Sequence, residues 1–508
     1  MSRNAKEPSS QLHLKVNESD VTVFTWPALT VFALLTVIFI AARLWHLSSY
    51  TFWADEIFSV TTAREDWGPL FQKVVSDLVH PPLFYMLLKI WMLIGGESAI
   101  WLHLLPTLAA IASIVPFFLL SRELNLRPAE LNLTFLLMAV NGYLIYYSFD
   151  LRMYSLLLLL TLFSLWLFAR FFNSEGSAGK TLPALFAVNL LLVYTHYYGW
   201  VLVGIEFIFL FFWGRQKLRS FSIIVAALIL SFSPWFYLVA REASRFGGVR
   251  NLSWMPQPGA TAVGDYFGGL HGSFQFAGQN LLGLLLFGVP IVLWAWRVMA
   301  SKDAEGVKRR ATFWWLVLLS FLPVVLSFSL SQRGNQSVWN SRYLIIAAVP
   351  YMLLIAISVF RLPPKWVRTA ALLLVTGWAI LGGFQNQSFA DRQTWEPMGP
   401  LVKKMVQTEP SQGRVGVYVF DRRPSRAIRL YLRLHNATRF QLRPVDDVEA
   451  IRTDHFWVAT QESRDTKFGS LQGRLEAQGY QVGEGLEANI SAEHKVVLLP
   501  VWRKQPQR

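Results

Sequence analysis

Long apolar runs separated by short polar loops make up most of the chain before residue 387. A helix needs about 20 mainly apolar residues to cross the hydrocarbon core of a membrane, and most of these runs reach or approach that length. The pattern therefore predicts an all-α polytopic membrane domain over 26–386, with about eleven transmembrane helices. The predicted spans are 27–43, 99–121, 129–147, 153–172, 181–195, 197–213, 219–240, 279–299, 312–330, 341–360 and 366–386.

One apolar run, 82–96, is shorter than the others and carries Lys89 near its middle. A charge at mid-membrane is costly, so we expect this run to form a re-entrant or juxtamembrane helix within an outer loop over 45–98. With this run left out of the crossings, the most basic loops fall on one side, which the positive-inside rule assigns to the cytoplasm. Their basic residues are Arg122, Arg127, Arg215, Lys217, Arg219, Lys302, Lys308, Arg309, Arg310, Arg361, Lys365 and Arg368.

The same parity places the polar tail 1–25 in the cytoplasm and the segment 387–508 outside it, so we expect a multi-pass protein of the cell (inner) membrane. Segment 387–508 alternates short β-branched and aromatic runs with stretches of helical spacing. That alternation predicts a small soluble α/β domain. The strand-like runs are 414–420, 455–460 and 495–502, and the helical stretches are 396–407, 426–434 and 470–478.

Composition narrows the classes of function. Of the 508 residues, 53% are hydrophobic and 16% are charged, a balance that excludes a soluble multidomain protein. The net charge of +15 is explained by the cytoplasmic loops, so we expect no nucleic-acid partner. The sequence has no cysteine, which rules out disulfides, thiol nucleophiles and cysteine-ligated metals.

Two polar stretches on the predicted outer face are candidates for chemistry. Asp55-Glu56 follows Trp53 just beyond the first span, and Asp150 and Arg152 lie between two long apolar runs. Each stretch has a structural alternative, since acids in a first turn can cap a short interfacial helix and an Asp–Arg couple can close a helix junction as an ion pair. Two acidic stretches on one face favour a functional site over two unrelated structural features.

Taken in order, three motifs resemble those of the C-type membrane glycosyltransferases, which share the GT-C fold. The resemblance is closest to the group that contains the protein O-mannosyltransferases and the transferases that add aminoarabinose to lipid A, and it covers about residues 25–215. It implies an enzyme that transfers a sugar, with inversion, from a polyprenyl-phosphate carrier to a lipid, glycan or protein acceptor on the outer (periplasmic) face. The motifs are Asp55-Glu56, His80-Pro81-Pro82-Leu83 and Tyr147-Ser148-x-Asp150-x-Arg152-x-Tyr154.

By this resemblance Asp55 is the catalytic base or acceptor anchor, and Glu56 is its neighbour in the site. A carboxylate suits the reaction, because a phosphate leaving group needs no general acid whereas the acceptor hydroxyl must lose its proton. Arg152 would offset the charge of the carrier phosphate, for which a planar guanidinium is well suited. The other residues expected at the donor phosphate are Asp150, where relatives usually have Glu, His103, where they often have Arg, and Tyr154.

Further site candidates are His80, Tyr85, His196 and Arg342. His80 and His196 are candidate ligands for a divalent metal, because histidine is a common metal ligand. Neither has the HExxH type of spacing, so we predict no metal and no other cofactor. Several arginines near outer loops either contact lipid headgroups or line a phosphate or acidic-acceptor pocket. They are Arg245, Arg250, Arg333 and Arg342.

Three other functions fit parts of the pattern. A secondary transporter would show broken helices in matching halves and charged residues at mid-span, where the sequence offers Lys89 and Glu206. An enzyme of the same fold that moves a whole glycan, like an O-antigen ligase or oligosaccharyltransferase, is disfavoured by the short outer loops. A non-enzymatic scaffold would not explain the acidic residues on the predicted outer face.

Overall fold

The computed structural model describes residues 12–17, 25–45, 47, 52–174, 179–245, 255–272, 278–301, 304–334, 336–384, 398–420, 422–445, 447–463, 469–489 and 494–504. The chain divides into two compact units. The first, which we call the helical unit, comprises Met1–Trp45, Asp66–Leu87 and His103–Asn386. The second, the α/β unit, comprises His46–Glu65, Leu88–Leu102 and Gln387–Arg508.

The helices are α1 Trp26–Leu44, α2 Ala54–Ala63, α3 Trp67–Asp77, α4 Leu83–Gly95, α5 Ala99–Ala112, α6 Ile114–Glu123, α7 Pro128–Val140, α8 Gly142–Phe149, α9 Tyr154–Asn173 and α10 Thr181–Thr195. They continue with α11 Tyr198–Trp213, α12 Arg215–Arg245, α13 Ala262–His271, α14 Gln279–Ala300, α15 Ala304–Arg333, α16 Ile345–Phe360, α17 Lys365–Phe384, α18 Met398–Thr408, α19 Arg422–Leu434 and α20 Gly469–Ala477.

Within the described residues, every predicted span overlaps helical structure, which confirms the polytopic all-α architecture. In the part of the chain that the structure describes, 8 helical segments are long and apolar enough to cross a membrane, and 9 if a bent pair counts as one span. The predicted spans 181–195 and 197–213 are the shorter apolar helices α10 and α11, and the run 82–96 is the shorter helix α4. The number of crossings and the position of α4 at the outer interface stay predictions.

The core of the helical unit is the segment Ser341–Phe360, in which a 3-10 turn leads into α16 and 94% of the span is buried. Helices α7, α9, α14, α15 and α17 pack around it. By contrast, only 17% of α1 and 22% of the apolar part of α12 is buried inside the protein. A helix that is apolar on all sides is stable either inside the bundle or facing lipid, because lipid chains are as apolar as the packed core.

Helices α7 and α8 form the bent pair, with an angle of 58° between them, where the sequence predicts one span over 129–147. The break lies at Asn141, whose extended backbone ends α7 and whose side chain accepts the N–H of Leu144 to cap α8. Arg43 of α1 donates to the carbonyl oxygens of Met138 and Ala139 at the end of α7. A break inside a bilayer requires such partners, because exposed backbone groups find no water there.

A mixed six-stranded sheet forms the centre of the α/β unit, in the order β2-β1-β3-β6-β4, with β5 also paired to β6. Strand β1 is parallel to β2 and β3, whereas β6 is antiparallel to β3, β4 and β5. Buried Phe456, Leu475 and Tyr480 belong to its apolar core. The small C-terminal α/β fold is therefore confirmed. The strands are β1 Val415–Val419, β2 Phe440–Pro444, β3 His455–Ser463, β4 Tyr480–Val482, β5 Leu486–Asn489 and β6 His494–Arg503.

The orientation of the spans is open to direct measurement. The loop charges predict that the turn after α6 faces the cytoplasm and that the α/β unit faces outwards. Alkaline phosphatase, which is active only outside the cytoplasm, should therefore be inactive when fused after Arg127 and active when fused after Lys504. Activity of the Arg127 fusion would show that the predicted parity is wrong.

Candidate active site

Most of the predicted site residues lie together in the helical unit, in what we call the polar cluster. Its members come from four places: the end of α3 and start of α4, the α8–α9 turn, the α10–α11 turn and the turn before α16. All of them except Asp77 are at most 6% exposed, although each carries a polar group. The members are Asp77, His80, Tyr85, Asp150, Arg152, Tyr154, His196, Arg342 and Tyr343.

Arg152 is held in a tight turn between two helices. The chain leaves α8 at Asp150 in an extended conformation, and the backbone N–H of Arg152 donates to the Asp150 carbonyl over 2.6 Å. One amino group of the Arg152 guanidinium donates to the Tyr85 hydroxyl and the other contacts His80 Nδ1, each at 3.2 Å. The turn thus places the nearly buried cation of one motif against His80 of another and against nearby Tyr85.

His80 is oriented by the unusual end of helix α3. Leu78 has φ +61°, a left-handed conformation that costs a residue with a Cβ about 1–2 kcal/mol. This turn, followed by Pro81-Pro82, leaves His80 Nδ1 3.7 Å from a carboxylate oxygen of Asp77. Because a guanidinium only donates, Nδ1 accepts from Arg152, and the ring proton is assigned to Nε2 in the neutral imidazole. Asp77 is a member that sequence reasoning missed.

His196 presents a neutral hydrogen-bond donor to the cluster. Its Nδ1 accepts the backbone N–H of Tyr198 over 3.1 Å, so the neutral ring carries its proton on Nε2. Among the described residues, buried Nε2 has no hydrogen-bond partner. Burial, together with nearby His80, Arg342 and Arg152, holds the pKa of His196 well below its ordinary value. An Nε2–H group of this kind can donate to an oxygen of a bound anion.

This pKa shift predicts a measurable pH dependence of stability. Below about pH 6.5 the unfolded chain protonates His196 while the folded protein does not, so the free energy of unfolding falls as the pH falls. The slope for one group is at most about 1.4 kcal/mol per pH unit. We expect wild-type protein in detergent to lose more thermal stability between pH 7 and pH 5 than His196→Asn does.

The comparison with His196→Asn isolates this residue. Burial raises the pKa of Asp77, against an opposing effect of Arg152, so Asp77 acts in the opposite sense and contributes in both proteins. The other charged groups near His196 are His80, Arg152 and Arg342, and its titratable ring neighbours are Tyr154, Tyr198 and Tyr343; all are the same in both proteins. Equal losses in the two proteins would show that His196 is not the group that resists protonation.

Arg342 lies at the N-terminal end of the central helix. The Asn340 side chain accepts its backbone N–H, and its guanidinium carbon lies 5.7 Å from the centre of the Tyr154 ring and 5.6 Å from that of Tyr343. These positions suit an anion-binding pocket better than a headgroup contact, because the side chain is buried. Arg245 and Arg333 are exposed, as expected of headgroup contacts, and Arg250 lies outside the described residues.

Aromatic rings connect the remaining members. The His196 ring lies 5.4 Å from that of His80 and 4.8 Å from that of Tyr343, and the Tyr154 ring lies 6.4 Å from that of His196. The cluster therefore combines guanidinium, imidazole and phenol groups within a few ångströms. Such groups bind and orient a phosphate, and they stabilise the charge that develops on a phosphate leaving group.

Asp55 and Glu56 belong to the α/β unit, in the first turn of α2. Glu56 is completely buried, and one of its carboxylate oxygens accepts the backbone N–H of Trp53 over 3.1 Å. The capping alternative therefore describes Glu56. Asp55 is only half-buried, so it is the more accessible of the two acids. Its backbone carbonyl accepts the Ser59 hydroxyl.

The C-terminal segment holds the start of this turn. Phe52 N–H donates to the Tyr431 hydroxyl over 2.7 Å, and that hydroxyl donates to the Phe52 carbonyl over 3.3 Å. Tyr431 lies on α19, so a helix of the sheet domain fixes the backbone three residues before Asp55. Sequence reasoning could not find this pair, since the partners lie 379 residues apart.

The remaining site predictions concern His103 and metals. His103 is completely buried on α5, and its carbonyl accepts the Thr107 hydroxyl over 2.8 Å. Its role at the donor phosphate stays a prediction. Among the residues that the structure describes, no group of three or more His, Asp or Glu is placed to hold a metal ion. The expectation that the protein needs no metal is likewise still a prediction.

The overall architecture matches a known structure. ArnT from Cupriavidus metallidurans bound to undecaprenyl phosphate gives a TM-score of 0.56 at 13% sequence identity, and the match covers 94% of this chain and 98% of that one. This chain has the GT-C fold. ArnT from the same organism in the apo state gives a TM-score of 0.56 at 14% identity, covering 92% of this chain and 97% of that one. No protein-family model and no curated protein matches the sequence.

Proposed function

We propose that this GT-C protein is a glycosyltransferase that takes a sugar from a polyprenyl-phosphate carrier and transfers it, with inversion, to an acceptor at the outer face of the cell membrane. The observation that carries the proposal is the polar cluster. Two arginines and a neutral histidine donor, all nearly buried, lie in a fold shared with an ArnT structure that contains undecaprenyl phosphate.

Each side of the reaction has a candidate group. Arg152, Arg342 and the Nε2–H of His196 are donors suited to the phosphate of the carrier, where negative charge grows as the glycosidic bond breaks. Asp150 and Tyr154 flank Arg152 and complete the donor-phosphate site that we propose. Asp55 accepts the proton of the acceptor hydroxyl as that oxygen attacks the sugar carbon.

Two measurements test the proposal. Mass spectrometry of envelope lipids and glycoproteins, from cells with and without the protein, should show one acceptor that differs by the mass of a single hexose, pentose or aminosugar. Purified protein should also be stabilised against heat by undecaprenyl phosphate. Identical lipid and glycoprotein profiles, together with no stabilisation, would contradict the proposal.

The transporter alternative predicts broken helices in both halves of the chain. The described residues contain a single bent pair, α7 and α8. Buried Glu206 contacts the hydroxyl of Ser164, which in turn donates to Asn189 over 2.6 Å, so these three helices share a polar contact inside the bundle. Such a contact suits helix association, and it leaves the transferase as the better-supported function.

A further inference from the structure

One side of helix α19 carries a line of exposed arginines, Arg426, Arg429 and Arg433, which we call the arginine stripe. Residues three and four apart lie on the same side of a helix, so the three guanidinium groups follow one another along the surface of the α/β unit. Ile428 and Leu430 lie between them in sequence and are completely buried in that unit. The stripe is about 10 Å long, because a helix rises about 1.5 Å per residue.

The arginine stripe has no neutralising partner. Within the part of the chain that the structure describes, none of its three guanidinium groups makes an ion pair or a hydrogen bond. The segment 421–446 contains seven arginines and two aspartates, one at each end, so it is strongly basic wherever those two carboxylates lie. A surface that serves solubility alone mixes both signs of charge. A line of unpaired cations therefore indicates an anionic partner.

A lysine of the neighbouring helix extends this basic surface. Helix α18 packs against α19 and carries exposed Lys403. Burial, and then the charge of Lys403, lower the pKa of His435, which directly follows α19. Lys403 therefore lies near the end of α19 that carries Arg433, and the positive surface is formed by two helices.

The α/β unit connects the arginine stripe to the membrane through α2. Buried Tyr431, on the side of α19 away from the stripe, binds the backbone of Phe52 just before α2. At the other end of α2, Arg64 donates to the carboxylate of Glu97, in the turn between α4 and α5, over 2.9 Å. Helix α2 has 10 residues and is therefore about 15 Å long.

The turn between α4 and α5 marks the expected boundary of the bilayer. Leu93, Ile94 and Ile100 are each more than half exposed, which suits contact with lipid. Ile100 belongs to the segment Ala99–Glu123, which is apolar and long enough to cross a membrane. The anchoring point of α19 is thus about one short helix from this boundary. At that distance long arginine side chains can approach the headgroups, whose potential extends about 8 Å at physiological ionic strength.

We propose that the arginine stripe binds the headgroups of anionic phospholipids at the outer face of the membrane and so holds the α/β unit against the bilayer. Each basic residue near an anionic membrane surface favours binding about fivefold. The apolar side of α19 is buried in the unit, so the helix contributes charge and does not insert. Because Tyr431 holds the backbone that leads into α2, bound lipid would also fix the start of α2 near the surface. This inference does not rest on the transferase reaction.

Lipid selectivity next to the stripe tests the proposal. The sequence has no cysteine, so Thr438→Cys gives the full-length protein a single site for a fluorophore. Thr438 is exposed and lies five residues after Arg433. The protein is placed in phosphatidylcholine nanodiscs with equal mole fractions of nitroxide-labelled phosphatidylglycerol or phosphatidylcholine. Phosphatidylglycerol should quench about fivefold more strongly, and salt at about 1 M, where the Debye length is about 3 Å, should abolish this preference.

Three charge variants identify the groups responsible. Replacing all three arginines of the stripe by glutamine should remove the preference for phosphatidylglycerol, whereas replacing them by lysine should keep it, because the charge attracts the headgroup. The matched control replaces three exposed cations elsewhere in the α/β unit by glutamine and should also keep the preference. Its changes are Arg414→Gln, Arg452→Gln and Lys504→Gln.

Three results would each overturn the proposal. Equal loss of preference in the matched control would show general attraction by net charge. Equal quenching by the two lipids in the unsubstituted stripe would show that it does not select an anionic headgroup. No quenching by either lipid would show that the stripe lies away from the membrane and would reassign it to a soluble anion. Thermal unfolding establishes that each variant is folded before the lipids are compared.

Discussion

Replacing Asp55 by Asn is expected to lower the rate of sugar transfer by about a hundred- to ten-thousand-fold. The substitution keeps the shape and hydrogen-bonding capacity of the side chain but removes its basicity. Because Asp55 is half-buried and Glu56 makes the capping contact, α2 should still form and the protein should still be stabilised by undecaprenyl phosphate. The measurement is the amount of modified acceptor, by mass spectrometry, in cells that carry each variant.

Two control variants separate a base from a structural acid. Glu56→Gln keeps an oxygen that can accept the Trp53 N–H, so transfer should fall far less than in Asp55→Asn. Glu56→Ala removes the cap and should cost about 1 kcal/mol of stability. Asp66→Asn changes an exposed acid before α3 in the same way and should leave transfer unchanged. Normal transfer by Asp55→Asn would end the assignment of Asp55 as the base.

The membrane helices were the most predictable part of the fold. An apolar run of membrane length has few alternatives, because each backbone group in lipid needs a partner within its own helix. The helix over 181–195 has the predicted bounds for this reason. The break at Asn141 was not predictable, because it depends on Arg43, which comes from a helix about one hundred residues earlier and supplies the missing partners.

Short and edge elements were missed. The sequence predicts β1, β3 and β6, which are rich in β-branched and aromatic residues, but not β2, β4 or β5. Strands β4 and β5 lie along the same side of β6 and are separated at Gly483, where a Cβ would come within 2.5 Å of the Trp502 ring. Such strands are determined by pairing with a neighbour more than by their own pattern.

The motifs identified most residues of the polar cluster but not the contacts between them. The sequence singled out Arg152 and His80 separately, since they lie 72 positions apart, and only the fold shows their contact. Asp77 was overlooked because it reaches His80 through the left-handed turn at Leu78. A left-handed conformation at a leucine cannot be predicted from the sequence pattern. The sequence therefore predicts which residue types each motif offers, whereas the contacts between motifs are known only once the packing of the helices is known.

Removing the charge of Arg152 is expected to weaken binding of undecaprenyl phosphate by roughly 10- to 150-fold, because a charge-assisted hydrogen bond contributes about 1.5 to 3 kcal/mol. Arg152→Gln is a better test than Arg152→Ala, since the amide of glutamine can still donate to Tyr85 or His80 and fills much of the space of the arginine. Arg152→Lys should recover part of the affinity, because it keeps the charge but loses the planar fork that reaches two partners.

The matched control is Arg170→Ala, which removes an exposed arginine at the far end of the same helix α9 and should leave affinity unchanged. Thermal unfolding without ligand shows whether each variant is folded before its affinity is compared. The series also distinguishes phosphate binding from positioning. If Arg152 only orients His80 and Tyr85, a folded Arg152→Gln protein will bind undecaprenyl phosphate as tightly as the wild type, and the proposed role of Arg152 at the carrier phosphate would be wrong.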